Sequence, residues 1–586
     1  MKRLLLIVCL FVLSGCDDYN IDLNLSTDKS MYEPDEEILL NVEIINNEEY
    51  DINYLIDVSI FHINRRVLDL STSEFEIKKQ ERITKLIPID LSSENYMGYL
   101  MKIDLKNRNG RIMDSDTIAL DISSNWNKYP RYGYIADYGN LSKEDIESRL
   151  ESLSRFHING LQFYDWQYKH HMPLSLEGNT LTNSWFNIAN KKVNLSTIEY
   201  YLDIAKERNI TTMNYNLIFG AYSDYESDGL SSELSLYKNK TLDEQDYHDL
   251  PSSWATQKLM IMDPSNVIWQ DYIINQERNV LNYLDFDGWH IDQLGNRGVL
   301  YNNMGERIFL DDTFNQFISA IGSDLDIELV FNFVDNYGLD KAGNNEQLSF
   351  IYNEVWQRDK YIDLKEIIDN NITITNSLKN SVLAAYMNYD KADNPGMFNT
   401  PGILLTDAVI FASGGSHIEL GDIGMLSKEY FPNINLEMSE ELTNKLIDYY
   451  DFLVAYQNLL RDDVVNINNI VEISDYKLSK DGIFDTVWYF VKATDDYEMI
   501  HFINLLGNDN YWRDSLGLKK EPEEVKFKVK YYSEELINNI FVASPDYNDC
   551  VISELKFDAD YESGIYEFTV PKLKYWDMII LEKEKE

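Results

Sequence analysis

Apolar residues change their spacing twice along this chain. From residue 20 to 124 they alternate with polar ones, as in Glu37-Ile-Leu-Leu-Asn-Val-Glu-Ile-Ile, Tyr54–Ile63 and Tyr99–Leu105. A period of two puts every second side chain on one face of a strand, and Asn, Gly and Asp turns separate the runs. An immunoglobulin-like β-sandwich is expected there. Asn125-Trp-Asn-Lys-Tyr-Pro130 reads as a linker.

From residue 125 to 462 short apolar runs alternate with stretches of helical period. That grammar belongs to parallel sheets. Eight strands are predicted: Tyr132–Asp137, Gly160–Asp165, Thr211–Asn216, Gly288–Asp292, Leu329–Val334, Phe350–Glu354, Val382–Asn388 and Ala408–Ser413. Helices are predicted between them, one starting at a Ser142 cap, another over Leu195–Lys206 and a third from Val267 to about Leu284. Eight strands closed by helices make a (β/α)8 TIM barrel. Leu259–Asp263 reads as a further short strand in a long loop, and Ser439 to about Leu460 as a closing helix. Alternation returns over 463–586, where an antiparallel β-sandwich is expected.

Composition narrows the function. A chain of 586 residues is too long for one core. Its 99 acids against 52 bases give a net charge of -47, which argues against nucleic acid and anionic lipid surfaces as partners. Tyrosine is abundant, at 41 residues, and its flat ring with a polar edge suits stacking on sugars, although cores account for most of it. The cysteines are Cys9, Cys16 and Cys550, too few for a disulfide framework or a cysteine metal site.

The first 19 residues read as a signal and anchor segment. Lys2-Arg3 precedes an apolar run, Leu4–Leu13, too short to span a bilayer. Leu13-Ser-Gly-Cys16 resembles a bacterial lipobox, in which cleavage precedes the cysteine and Cys16 receives lipid; an ordinary secretory signal is the alternative. Asp17-Asp18 resembles a surface-export tag. A lipoprotein of the outer membrane or cell surface is expected, with the leaflet left open, and as a monomer.

Two of the predicted strands end in acids, Asp292 and Glu354, where such barrels place catalytic groups. Glycoside cleavage needs one carboxyl to protonate the leaving oxygen and another to attack or activate water. Asp292 sits among His290, Trp289 and Gln293, polar company that keeps a carboxyl ionised; Glu354 lies between Tyr352, Val355 and Trp356, whose apolar faces raise its pKa. A strand-end acid serves structure about as often as catalysis, so pattern alone leaves the pair open. Tyr164, Asp165, Trp166, Lys169 and His170 lie at or just past the end of the second strand and face the same mouth. Asn216, His290, Trp356 and Asp422 also stand at or near strand ends. His170-His171 is a poor metal pair, because adjacent residues rarely point to one ion. No metal and no cofactor is expected.

Arg131–Asp137, Ile158–His171, Met213–Asn216, Phe286–Asp292, Tyr352–Trp356, His417–Asp422 and Glu429–Pro432 together resemble glycoside hydrolase family 66, the dextranases and cycloisomaltooligosaccharide glucanotransferases. The resemblance runs through the whole central region in order. It implies a sandwich–barrel–sandwich plan, a retaining mechanism on α-1,6-glucan, Asp292 as nucleophile and Glu354 as acid/base. Ile291 and Gln293 depart from the flanking residues expected in some relatives, which touches subsite detail. Cyclising members carry a carbohydrate-binding module inside the barrel region, and the stretch after Glu354 is too short for one. A dextranase releasing isomalto-oligosaccharides is the first expectation. A cyclising glucanotransferase and a non-catalytic surface glycan-binding lipoprotein are the alternatives.

Overall fold

The computed structural model describes residues 20–429, 433–513 and 517–585. Cys16 and the expected signal lie outside the described residues, as do positions 430–432 of the Glu429–Pro432 motif. The fold has several domains and is largely β. Among the described residues no helix is long and apolar enough to cross a membrane.

The N-terminal alternation becomes two facing sheets. Ile21–Thr27, Ile38–Asn46 and Arg82–Ile89 form one; Ile52–His62, Met97–Asn107 and Ile112–Ile122 lie side by side in the other, the last at its edge. Ile38, Leu40, Val42 and Ile44 are all buried and meet Ile56, Val58, Ile103 and Leu105 across the gap. Each such side chain stabilises the fold by about 1.5–3 kcal/mol.

In the central region the strands Tyr132–Ile135, Gly160–Phe163, Thr211–Leu217, Gly288–Asp292 and Glu328–Phe331 pair in parallel, each with the next. Parallel bridges Leu329–Leu348 and Asn332–Tyr352 carry the order on to Ile351–Glu354. Ser381–Ala384 and Gly415–His417 follow in parallel. Three residues later Leu420–Gly421 pairs with Tyr132–Ile135, so the succession returns to its first strand. These strands are buried along almost their whole length, as parallel strands covered on both faces must be. Packing at their starts is tight: a side chain at Gly160 would run into the Trp126 ring.

Two strand expectations need correction. Ala408–Ser413 lies within the helix Thr400–Ser413, and the strand at that place is Gly415–His417. The helix is buried on nearly all sides, from Gly402 through Ser413, so it lacks the polar face that separates helix from strand in a sequence. Its ends were nevertheless marked: Asn399 accepts from the Gly402 N–H, Pro401 stands in the first turn, and Gly414 closes the helix at φ 97°. The seventh strand stops at Ala384 rather than Asn388. Elsewhere the local signals hold. Ser142 caps Lys143–Arg155 in a reciprocal capping box with Asp145, and helices cover Leu195–Glu207 and Val267–Tyr283. Lys258–Ile261 is indeed a short strand, antiparallel to Gly220–Tyr222 and Tyr247–Asp249 in the long excursion before Asp292. The closing helix runs over Glu440–Ala455, with a second turn at Gln457–Leu460.

The C-terminal region is again two sheets, one of seven strands and one of four. Val487–Ala493 is buried at every position. Val487, Tyr489 and Val491 face the four-stranded sheet, while Trp488 and Phe490 join the core that holds the central helices.

Candidate active site

The strand period of two builds the site in layers. One layer down, His290 packs edge-on against Tyr352, with ring centroids 4.8 Å apart, and stacks on Tyr132 and Tyr215. Two residues further along each strand come Asp292 and Glu354. Their proximity is inherited from the aromatic layer beneath.

Asn332 joins the two acids. Its Nδ2 donates to Asp292 Oδ1 at 2.8 Å and to Glu354 Oε2 at 3.1 Å, which holds those oxygens within about 6 Å of each other. Asp292 also accepts from the Tyr215 hydroxyl at 2.6 Å and the Gln293 N–H at 2.8 Å. Glu354 accepts from the Tyr386 hydroxyl at 2.6 Å. Burial raises both carboxyls above their ordinary range. For Glu354 the neighbouring Asp292 charge adds to burial, outweighs the hydrogen bonds, and brings it to about 7. For Asp292 three donors oppose burial.

The pair opens on a cavity of about 330 Å³. Ile188, Leu217, Leu250, Trp254, Leu259 and Leu294 form its apolar wall; Tyr164, Asp165, His170, Tyr215, Trp356 and Glu429 supply polar edges. Mixed walls of this kind suit a ligand with an apolar face and hydroxyl rims. A larger depression of about 540 Å³ lies between the N-terminal sandwich and the Lys143–Arg155 helix, away from the paired acids.

The other candidates divide between the cavity and the scaffold. Tyr164 and Trp356 line the cavity, the first against Tyr215 and the second against Tyr386. Asp165 lines it too, with a left-handed backbone at φ 48° and a carboxyl that burial, then the Asp292 charge, raises to about 7. His170 is held behind it by Asn216 and Gln167, and burial lowers its pKa to about 4. Asn216 is buried between His170 and Glu277.

Four residues expected at the mouth do other work. Trp166 is fully buried against Trp185 and Phe286, and its indole N–H donates to Asn214, so neither face is open for stacking. Lys169 is paired with Asp224 and Asp228 at 2.8 and 2.6 Å. His290 is buried in the aromatic layer, where desolvation lowers its pKa to about 3. Asp422 is buried, accepts from the Ala136 and Asp137 N–H groups and the Tyr201 hydroxyl, and pairs with Arg149. It ties the last strand to the first.

Among the described residues two groups have the donor types of a metal site. In His171, Asp224 and Asp228 the Lys169 ammonium already bonds both acids. In Asp407, His417 and Glu419 the histidine Nδ1 lies 2.8 Å from Asp407, a hydrogen bond rather than two ligands of one ion.

Asn332, Tyr215 and Tyr386 were missed by sequence reasoning. Asn332 falls inside the predicted Leu329–Val334 run, and its signal was a lone polar side chain where that strand ends. Tyr215 and Tyr386 look like core aromatics, because only a neighbour's carboxylate reveals what their hydroxyls do.

The profile of Glycosyl hydrolase family 66 matches residues 27–580. A cycloisomaltooligosaccharide glucanotransferase of Niallia circulans is 28% identical over 616 aligned positions, which include 79% of this chain and 62% of the relative. A Streptococcus salivarius dextranase is 25% identical over 561 positions, covering 80% of this chain and 66% of its own length. This chain thus spans somewhat under two thirds of either relative. A cycloisomaltooligosaccharide glucanotransferase from Paenibacillus sp., solved with cycloisomaltoheptaose, superposes with a TM-score of 0.90 at 26% identity, over 95% of this chain and 99% of that one. With a profile matched over nearly its whole length, this chain belongs to glycosyl hydrolase family 66.

Proposed function

We propose that the protein is an endo-acting, retaining dextranase that cleaves α-1,6-glucosidic bonds to release isomalto-oligosaccharides. The observation that carries this reading is the bridge from Asn332 to both Asp292 and Glu354. It keeps one oxygen of each acid within about 6 Å of the other, which supports the roughly 5–5.5 Å separation of retaining pairs over the ~6.5–9.5 Å that leaves room for water in inverting ones. The parallel strands that present the pair are read as a (β/α)8 barrel over 125–462, with sandwiches over 20–124 and 463–586.

Asp292 is the nucleophile. Its charge is one cause of the raised Glu354 pKa, so Asp292 ionises first and Glu354 keeps its proton near neutral pH. An Asp292 oxygen attacks the anomeric carbon, the bond from that carbon to the leaving 6-oxygen breaks, and the Glu354 proton passes to that oxygen. The Glu354 carboxylate then takes a proton from water, whose oxygen displaces Asp292. Tyr215, the Gln293 N–H and Asn332 stabilise the departing carboxylate. Tyr164, Asp165, His170 and Trp356 are the proposed contacts to glucose. The chain needs no cofactor for these steps. A lipid on Cys16 anchors it, so Cys16→Ala is expected to leave the membrane fraction.

A cyclising glucanotransferase is the second reading, favoured by the glucanotransferase relative and by the solved structure. Against it stands the short path after Glu354. Helix Tyr361–Ile374, strand Ser381–Ala384 and helix Thr400–Ser413 fill it, with no added module.

The test is incubation of residues 20–586 with dextran, pullulan and starch beside the Asp292→Ala variant, following reducing ends, product sizes and anomeric configuration. Linear isomalto-oligosaccharides of retained configuration, from dextran alone and absent with the variant, are expected. Cyclic products establish the transferase; binding without turnover establishes a glycan-binding protein.

A further inference from the structure

The loop between strands Tyr497–Asn504 and Val525–Tyr532 belongs to the C-terminal sandwich. Residues 510–513 of that loop nevertheless run along the segment that follows Glu354. The Tyr361 N–H donates to the Asn510 carbonyl at 3.0 Å, and the Trp512 N–H donates to the Asp359 carbonyl at 2.8 Å. The Trp512 ring is fully buried, and its Nε1 donates to the Arg358 carbonyl at 2.8 Å. Lys360 and Tyr511 form an antiparallel bridge.

Arg513 completes this strap at the end nearest the acids. Its Nη2 donates to the Val355 carbonyl at 2.7 Å, and its Nε lies 3.4 Å from Asp359 Oδ1. Its guanidinium stands 5.9 Å from the Trp356 ring and 4.7 Å from the Trp512 ring. Val355 and Trp356 are the two residues after Glu354. Trp356 in turn packs on Tyr386 at 5.0 Å, whose hydroxyl bonds Glu354. One cation from another domain thus holds both the backbone that leaves the Glu354 strand and the ring beside its carboxyl.

Resting on the reading of Glu354 as the acid/base, we infer that Arg513 is a positioning residue for it: the C-terminal sandwich aims the proton donor by holding Val355 and Trp356. A hydrogen bond from a planar, always-charged fork fixes direction as well as distance, which a loop contact between apolar side chains does not. Displacement of an acid by about 1 Å costs on the order of 10²-fold in rate. The cost falls on the step that uses the proton.

That selectivity separates positioning from mere attachment of the sandwich. The full soluble chain and its Arg513→Ala and Arg513→Lys variants are assayed for kcat/KM, which reports formation of the glycosyl-enzyme. Two substrates are used: dextran, whose leaving oxygen needs a proton, and 2,4-dinitrophenyl α-isomaltoside, whose phenolate does not. With dextran, Arg513→Ala is expected to lose roughly 10- to 100-fold, and Arg513→Lys to recover part of it. With the aryl substrate both variants should stay within about 3-fold of wild type. Equal losses on both substrates, or none on dextran, overturn the inference while leaving the dextranase reading intact. A wild type inactive on both substrates overturns the reading and this inference together. If Arg513→Ala does not fold, Arg513→Lys alone is expected to show the same selectivity at smaller size, and its absence overturns the inference.

Discussion

The central domain holds two clusters of buried acids. In one, Asp292 and Glu354 stand at strand ends before a cavity, bridged by an asparagine and flanked by tyrosines. In the other, Asp407 and Glu419 are sealed inside with His417, each at most 1% exposed. There the His417 Nε2 donates to the Ala385 carbonyl, its Nδ1 faces Asp407 at 2.8 Å and Glu419 at 3.4 Å, and the Tyr450 hydroxyl donates to Glu419. The sealed cluster has a histidine ring nitrogen between its acids as partner. The open one faces a cavity with hydroxyl and amide donors, and there burial and then the Asp292 charge raise Glu354. Two acids held together at the edge of a cavity, with their carboxyls raised by burial, are poised to pass a proton to something that enters.

The sharpest way to break this contrast is to remove a titratable side chain from each cluster in turn. Asp292→Ala should reduce dextran turnover to background, and Glu354→Gln should cost roughly 10²–10⁴-fold, both with the fold retained. Turnover by purified, folded variants checks this; activity within a few-fold of wild type would remove the pair from the chemistry. The sealed cluster should respond in the opposite currency. His417→Ala leaves buried polar groups without their partner and should lower stability by about 1–3 kcal/mol, with activity per folded molecule close to wild type. Denaturant unfolding together with active-site titration measures both halves.

A smaller effect lies in the bridge. Asn332→Ala removes one donor from two carboxyls and should slow dextran cleavage roughly 10- to 100-fold. A loss matching Glu354→Gln would mean that the bridge does more than hold the spacing.

The last prediction concerns pH. Glu354 must be protonated to serve as the acid, and its pKa of about 7 places the alkaline limb of kcat/KM there. Its folded pKa lies above the unfolded value, so its contribution to stability is fully present below about 4.5 and is lost as pH rises through about 7. Glu354→Gln should therefore gain stability relative to wild type across that interval. Melting midpoints at pH 4 and pH 8 test the sign, and a gap that shrinks with pH contradicts it. Improved stability at the expense of function is a common mark of an active-site acid.

Much of the arrangement was legible along the chain. The acids ending Gly288–Asp292 and Ile351–Glu354 could be found because strand period and strand termination are local properties. The same holds for the Ser142 cap and for the alternation of Ile38–Asn46, where one face meets a core and the other meets water. Trp166 illustrates the limit: a tryptophan just past a strand end looks the same whether it faces a ligand or, as here, packs on Trp185 and Phe286. Asp422 reads as a mouth carboxylate and is instead the tie between the last strand and the first.

The chain by itself determined where period two gives way to helical period and back, which residues end the strands, and which acids are candidates for chemistry. Backbone geometry and the hydrophobic effect act on neighbours, so these are written in neighbouring residues. Only the tertiary structure decided that Ala408–Ser413 is helical, because a segment buried on every side carries no polar face to reveal its period. It alone brought Asn332 between the two acids and Arg513 from another domain behind one of them. A charge or donor acquires its role from what lies a few ångströms away, and that distance is set by elements up to hundreds of residues apart.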